Sequence, residues 1–275
     1  MNNTAIGHTR WFCGALSLAL FLLSSFWTQA ADVYRLCGID QKLFSKFAYP
    51  AGVPYLSDRL IKWNESPGLF ILSPSKDFEE ENKGLFDHIR KDELLTDAPM
   101  KFVHYASPSE IYDVVTQYGI NNIFIFVDPA GFTNDPKPIE LRQAVMDVLL
   151  SPQIVERLFS TALKDQQFSL QSHINVASGE VYASVALINP AISPKAMPST
   201  LYTLYYAALS PPATYRTRDF FNTMFVPTAT DGTTHLSEFA KAYYGVVLDP
   251  SVPTGALPDQ LANVTVSRPA SGSLK

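Results

Sequence analysis

Two periods of apolar spacing run through this chain, and the points where one gives way to the other mark its elements. Ile123-Phe124-Ile125-Phe126-Val127 is an unbroken apolar run, the pattern of a strand covered on both faces, and Asp128-Pro129-Ala130-Gly131 stops it. Leu60-Ile61-Lys62-Trp63 and Leu69-Phe70-Ile71-Leu72 read as strands separated by the turn Asn64-Glu65-Ser66-Pro67-Gly68. Met100 to Tyr105 and Val181 to Ile188 are two further strands. The other period is helical. It places Leu43, Phe44, Phe47 and Ala48 in an opening helix over Gln41 to Tyr49, and Phe78, Leu85, Phe86 and Ile89 on one face of another. Ser107-Pro108-Ser109-Glu110 is a capping box with proline at the first helical position, and Ile111, Val114, Val115 and Tyr118 continue that helix to Gly119. Leu141, Ala144, Val145 and Val148 predict a longer helical region, and Ser151-Pro152 starts a second piece with Leu158, Phe159 and Ala162. A last helix carries Leu236, Phe239, Ala240, Tyr243 and Val247 and closes at Asp249-Pro250.

One helix departs from this amphipathic pattern. From Pro198-Ser199 to Leu209, with Pro211-Pro212 beyond, Leu201, Leu204, Tyr205 and Ala208 occupy one face while Tyr202, Tyr206 and Leu209 make the opposite side apolar too. Such a helix belongs in the middle of the molecule. Between Glu180 and Asp219 the only charges are Lys195, Arg216 and Arg218, so it brings neither carboxylate nor imidazole to its surroundings. Strands and helices interleave in the first half, and helix and loop dominate the second, including a long loop from Ser210 to Thr233. The expected class is α+β with a mixed sheet.

Residues 1–30 read as a signal peptide. Arg10 stands without any acid before the apolar stretch Cys13 to Trp27, and Thr28-Gln29-Ala30 sets small residues at a cleavage point. The expectation is export, periplasmic or secreted, with membrane contact only in transit. A single domain over 31–265 follows, then a polar tail over 266–275 that frays. The chain has a formal charge of −5, and loss of the leader removes Arg10 and no acid, so nucleic acid is not an expected partner. Cys37 alone remains after Cys13 leaves, so no internal disulfide is available, and a buried small hydrophobe is its expected role.

Motifs that carry chemistry are sparse in this chain. His88, His104, His173 and His235 show no spacing of four and none precedes Glu, so no helix presents the paired imidazoles of a zinc protease. There is no Gly-x-Ser-x-Gly elbow and no phosphate-cradling glycine loop. The acid run Asp77, Glu79, Glu80, Glu81 lacks the alternating oxygens and glycine turn of a calcium loop and reads as a solvated helix start. No cofactor, metal ligand or catalytic residue is nominated. Tyr202, Tyr205 and Tyr206 are open to two readings, as a partner-binding groove or as core residues whose hydroxyls reach loop backbone.

These features resemble a family of exported bacterial proteins catalogued as domain of unknown function 2927. The resemblance is carried by Leu60 to Trp63 leading into Leu69 to Leu72, the strand Ile123 to Val127, the central helix, Phe220-Phe221-Asn222, and Leu236 through Asp249-Pro250 to Pro253-Thr254-Gly255. It implies a degenerate zincin-like fold whose central helix once held His-Glu-x-x-His. Here Tyr202-Thr203-Leu204-Tyr205-Tyr206 stands in its place, without zinc ligands or a water-activating Glu. The expected function is that of an exported non-catalytic protein binding another envelope protein. The alternative is a cell-envelope hydrolase with a scattered site using, for example, His235 or His173 with nearby carboxylates.

Overall fold

The computed structural model describes residues 33–35, 40–49, 59–92, 94, 98–105, 108–127, 143, 152, 153, 156, 168–188, 192–210, 218–227, 233–261 and 265–267. The leader, Cys37, Asp128 to Gly131, Pro211-Pro212 and the chain beyond 267 lie outside these. So does most of the helical region expected over 141–162.

The elements follow in chain order. Strand β1 (Val33–Arg35) precedes helix α1 (Gln41–Ala48), which Asp40 caps by accepting from the Leu43 N–H at 3.0 Å. Strands β2 (Lys62–Trp63) and β3 (Leu69–Ser73) come next. The helical stretch after Pro74 divides into α2 (Phe78–Asn82) and α3 (Gly84–Arg90). The division has a local cause: Asn82 Nδ2 donates to the Phe78 carbonyl at 2.9 Å, competing with the backbone for that acceptor, and Gly84 stands two residues on. Strand β4 (Met100–His104), helix α4 (Pro108–Tyr118) and strand β5 (Ile123–Val127) match the periodicity, with Gly119 at φ 79° ending α4.

Strand β6 (Phe168–Asn175) is one that the apolar pattern does not predict. It forms a hairpin with β7 (Glu180–Ile188) through a turn ending at Gly179, φ 77°. Its polar residues Ser169, Gln171 and Ser172 are buried, and the Ser172 and Ser184 hydroxyls meet at 2.7 Å, so its composition hides its position. The central helix is α5 (Met197–Leu209). The stretch expected to be a long loop contains helix α6 (Arg218–Met224), which buries Phe220 and Met224, and strand β8 (Phe225–Pro227) paired with β9 (Thr234–Leu236). Helix α7 (Glu238–Val247) starts one residue after Ser237, whose Oγ accepts from the Ala240 N–H at 3.0 Å, so Leu236 ends a strand instead of opening the helix. A short α8 (Pro258–Leu261) and β10 (Thr265–Ser267) complete the chain. β10 pairs with β1 and so takes in Val266 and Ser267, the first residues of the expected tail.

The class is α+β, with a sheet that is mostly parallel. Strands β4, β3, β5 and β7 lie side by side in that order, all parallel, and β6 adds an antiparallel edge beyond β7. β2 pairs with the start of β7 on the same edge as β5. In chain order the four parallel strands therefore run second, first, third, fourth. That order reverses between β3 and β5, where one connection leaves toward β4 and the other toward β7.

Alternate residues of these strands face opposite layers. Leu69, Ile71, Ile123, Ile125, Val127, Ala186 and Ile188 join the main core with α5 and α7. On the other face Phe70 packs against Phe124 at 5.6 Å and against Tyr118 of α4 at 4.6 Å. Helix α5 is fixed to the sheet at its end. The carbonyl of Ala208, one of the last four that a helix leaves unpaired, accepts from Trp63 Nε1 at 3.1 Å and from Ser184 Oγ at 3.3 Å.

Candidate functional site

Two places hold the polar groups that distinguish this molecule. The first surrounds α5. Tyr202 and Tyr206 stand one turn apart, so both hydroxyls reach the same side, and each donates to Asp92 Oδ2 at 2.7 Å. Asp92 stands two residues beyond the end of α3. The Leu236 N–H donates to the Tyr202 oxygen at 3.1 Å, and the Tyr244 hydroxyl donates to the Tyr206 carbonyl at 2.6 Å. Tyr205 points elsewhere, and its buried hydroxyl has no partner. Tyr202, Tyr205 and Tyr206 are exposed by 0, 0 and 1 %, so they offer no outer groove. Their surroundings are those of core residues, with the difference that two hydroxyls meet a carboxylate instead of loop backbone.

Burial pushes all three phenols well above their ordinary value, and the negative charge of Asp92 pushes further. Near neutral pH they stay protonated and act only as donors. Asp92 with its two phenols is a lock that ties the end of α3 to the central helix.

Beside that lock His88 lies against the Tyr202 ring at 4.5 Å and donates through Nε2 to the Thr234 carbonyl at 2.9 Å. His235, on β9, meets His88 edge-on at 4.8 Å. His173 sits on β6 against Tyr182 at 5.8 Å, and His104 is exposed on β4. Thus the fold brings His235 to His88, a pairing that the spacing does not foretell. Among the described residues no group of three or more His, Cys, Asp or Glu is placed to hold a metal ion.

The second place is a cleft of about 480 Å³ at the carboxyl ends of β3 and β5. Ser73 and Val127 close the two strands, Phe78, Glu81 and Asn82 come from α2, and Met197 from the start of α5. This is where the strand order reverses, the position at which open sheets of parallel strands take their ligands. Ser73 Oγ already accepts from the Ser75 N–H at 3.1 Å. Asn82 is only 4 % exposed. With its Nδ2 given to Phe78, its Oδ1 is left without a partner. The sequence pattern does not reveal this cleft, because its walls come from β3, α2, β5 and α5, and only the parallel register puts them together. The one local signal is Ser73-Pro74-Ser75 at the end of an apolar strand, followed by an acid-loaded helix start.

A broader polar hollow of about 590 Å³ lies near the opposite ends of the strands, with Glu65, Asn122, Glu180 and Tyr182 among its walls. Its Asn122 is fully engaged, accepting from the Gly68 N–H and donating to the Tyr118 and Gly119 carbonyls.

No family model, curated protein or solved structure matches this chain.

Proposed function

We propose that this chain is an exported, non-catalytic binding protein of the cell envelope, periplasmic or secreted, that engages another envelope protein. The leader-like residues 1–30 support export. Among the described residues no helix is long and apolar enough to cross a membrane. The resemblance to the exported family of unknown function, and through it to a zincin scaffold that has lost its motif, belongs to the same proposal.

The observation that carries it is the engagement of Tyr202 and Tyr206 with Asp92 at 2.7 Å each. At the centre of the helix, where the resemblance implies a protease would hold metal and water, this chain has phenols that keep their protons and are already bonded. That is packing chemistry. Recognition then falls to the rim of the molecule, for which the cleft at the carboxyl ends of β3 and β5 has the site geometry.

The test uses the mature protein purified from the periplasm. Crosslinking in the native envelope is expected to yield one discrete partner, and incubation with peptides is expected to leave them intact. Peptide cleavage that disappears on chelation would overturn the proposal.

A further inference from the structure

We propose that the cleft at the carboxyl ends of β3 and β5 binds an alkylammonium group, with Asn82 Oδ1 as its acceptor and Glu81 as its counter-charge. The inference rests on the reading of this chain as a binding protein and names the chemistry of its site. Three observations carry it.

First, Asn82 lines the cleft, is almost wholly buried, and has its amide nitrogen committed to Phe78 while Oδ1 is unpaired. An unpaired buried acceptor is costly, and a donor brought by a ligand recovers that cost. Second, the preceding residue in α2, Glu81, also lines the cleft and is exposed, and among the described residues that line it there is no Lys, Arg or His. The site thus presents an exposed carboxylate beside a buried, unpaired amide oxygen, a combination that suits a cationic donor and disfavours an anion. Third, Phe78, Val127, Ile192 and Met197 give apolar walls to a volume that fits a short methylene chain. The group recognised is an ammonium on an aliphatic stem. Its source is either the lysine side chain of a protein partner or a free alkylamine.

The experiment is a calorimetric titration of the full mature chain with n-pentylammonium chloride, n-pentanol and sodium pentanoate. A parallel arm uses a short acetylated and amidated peptide containing one lysine. Pentylammonium is expected to saturate one site, pentanol to bind at least about tenfold more weakly, and pentanoate not to bind. Asn82→Leu is expected to weaken pentylammonium about tenfold or more. Glu81→Lys, at an exposed position that leaves folding intact, is expected to abolish its binding. Tighter binding of the peptide identifies a partner's lysine, and tighter binding of the free amine a small ligand.

Equal or better binding of pentanoate overturns the inference, as does unchanged affinity in Glu81→Lys or the absence of pentylammonium binding. If the last result accompanies specific crosslinking to an envelope partner, the alkylammonium site fails and the binding-protein reading stands. Chelator-sensitive peptide cleavage by a chain that does bind pentylammonium has the reverse meaning.

Discussion

Asp92 accepts from two phenols at once, and removing either donor leaves a carboxylate with one hydrogen bond fewer in a half-buried place. Tyr202→Phe also strips the Leu236 N–H of its acceptor. Urea denaturation should therefore show Tyr206→Phe and Tyr202→Phe destabilised by about 1–3 kcal/mol, the second more than the first. Tyr205→Phe should go the other way. Its hydroxyl is buried and unpaired, so deleting the oxygen keeps the ring packing and removes a desolvation cost, a gain of up to about 1 kcal/mol. Three tyrosines of one helix, equally buried, thus separate into two classes. Their apolar setting is legible in the residues around them, whereas their partners are not, because Asp92 lies more than a hundred positions away.

At the scale of elements, two glycines make opposite predictions. Gly255 has φ 75°, and a Cβ there would stand 2.6 Å from the Ser178 carbonyl oxygen at the β6–β7 turn. Gly255→Ala should cost more than about 1 kcal/mol. Gly84 opens α3 with open space where a methyl group would point, nothing lying within 4 Å, and Gly84→Ala should raise the melting temperature through a gain of up to about 1 kcal/mol. Strongly periodic elements are legible in the sequence. The buried run β5 and the helix α4 stand where their patterns put them. The β6 strand is not legible, because the hydroxyls of Ser172 and Ser184 satisfy each other inside the protein, and a polar residue so satisfied looks solvent-exposed in sequence. The segment from Asp249-Pro250 to Pro253-Thr254-Gly255 is distinctive in sequence, but the reason for it lies in the fold. It is stitched to β2 and the residues just before it, with Gly255 N–H donating to the Leu60 carbonyl at 2.9 Å and Lys62 Nζ donating to the Asp249 and Val252 carbonyls at 2.6 and 2.8 Å.

Across the whole molecule, the buried ionisable groups set a pH profile. Burial lowers the Lys62 ammonium to about 8, partly opposed by the charge of Asp249. Above that value the unfolded chain holds a proton that the folded one has released, so stability from Lys62 rises between about pH 8 and pH 10. The tyrosines act in the opposite sense. Tyr202, Tyr205, Tyr206, Tyr243 and Tyr244 are all raised by burial, so their contribution is full below about pH 10 and is lost progressively above it. Equilibrium unfolding against pH should thus show a maximum near about pH 9–10 and a steep alkaline collapse. Lys62→Met should remove the rising limb and leave the collapse.

By itself the sequence determined the class, the walled-in central helix and the lack of a reactive motif upon it, because burial and chemistry of that kind are written in local composition and period. Only the tertiary structure decided which groups meet. Parallel strands pair without a hairpin to announce their register, so the reversal between β3 and β5, the cleft it opens, the unpaired Asn82 oxygen within its wall, and the two phenols upon Asp92 all depend on contacts between residues far apart in the chain.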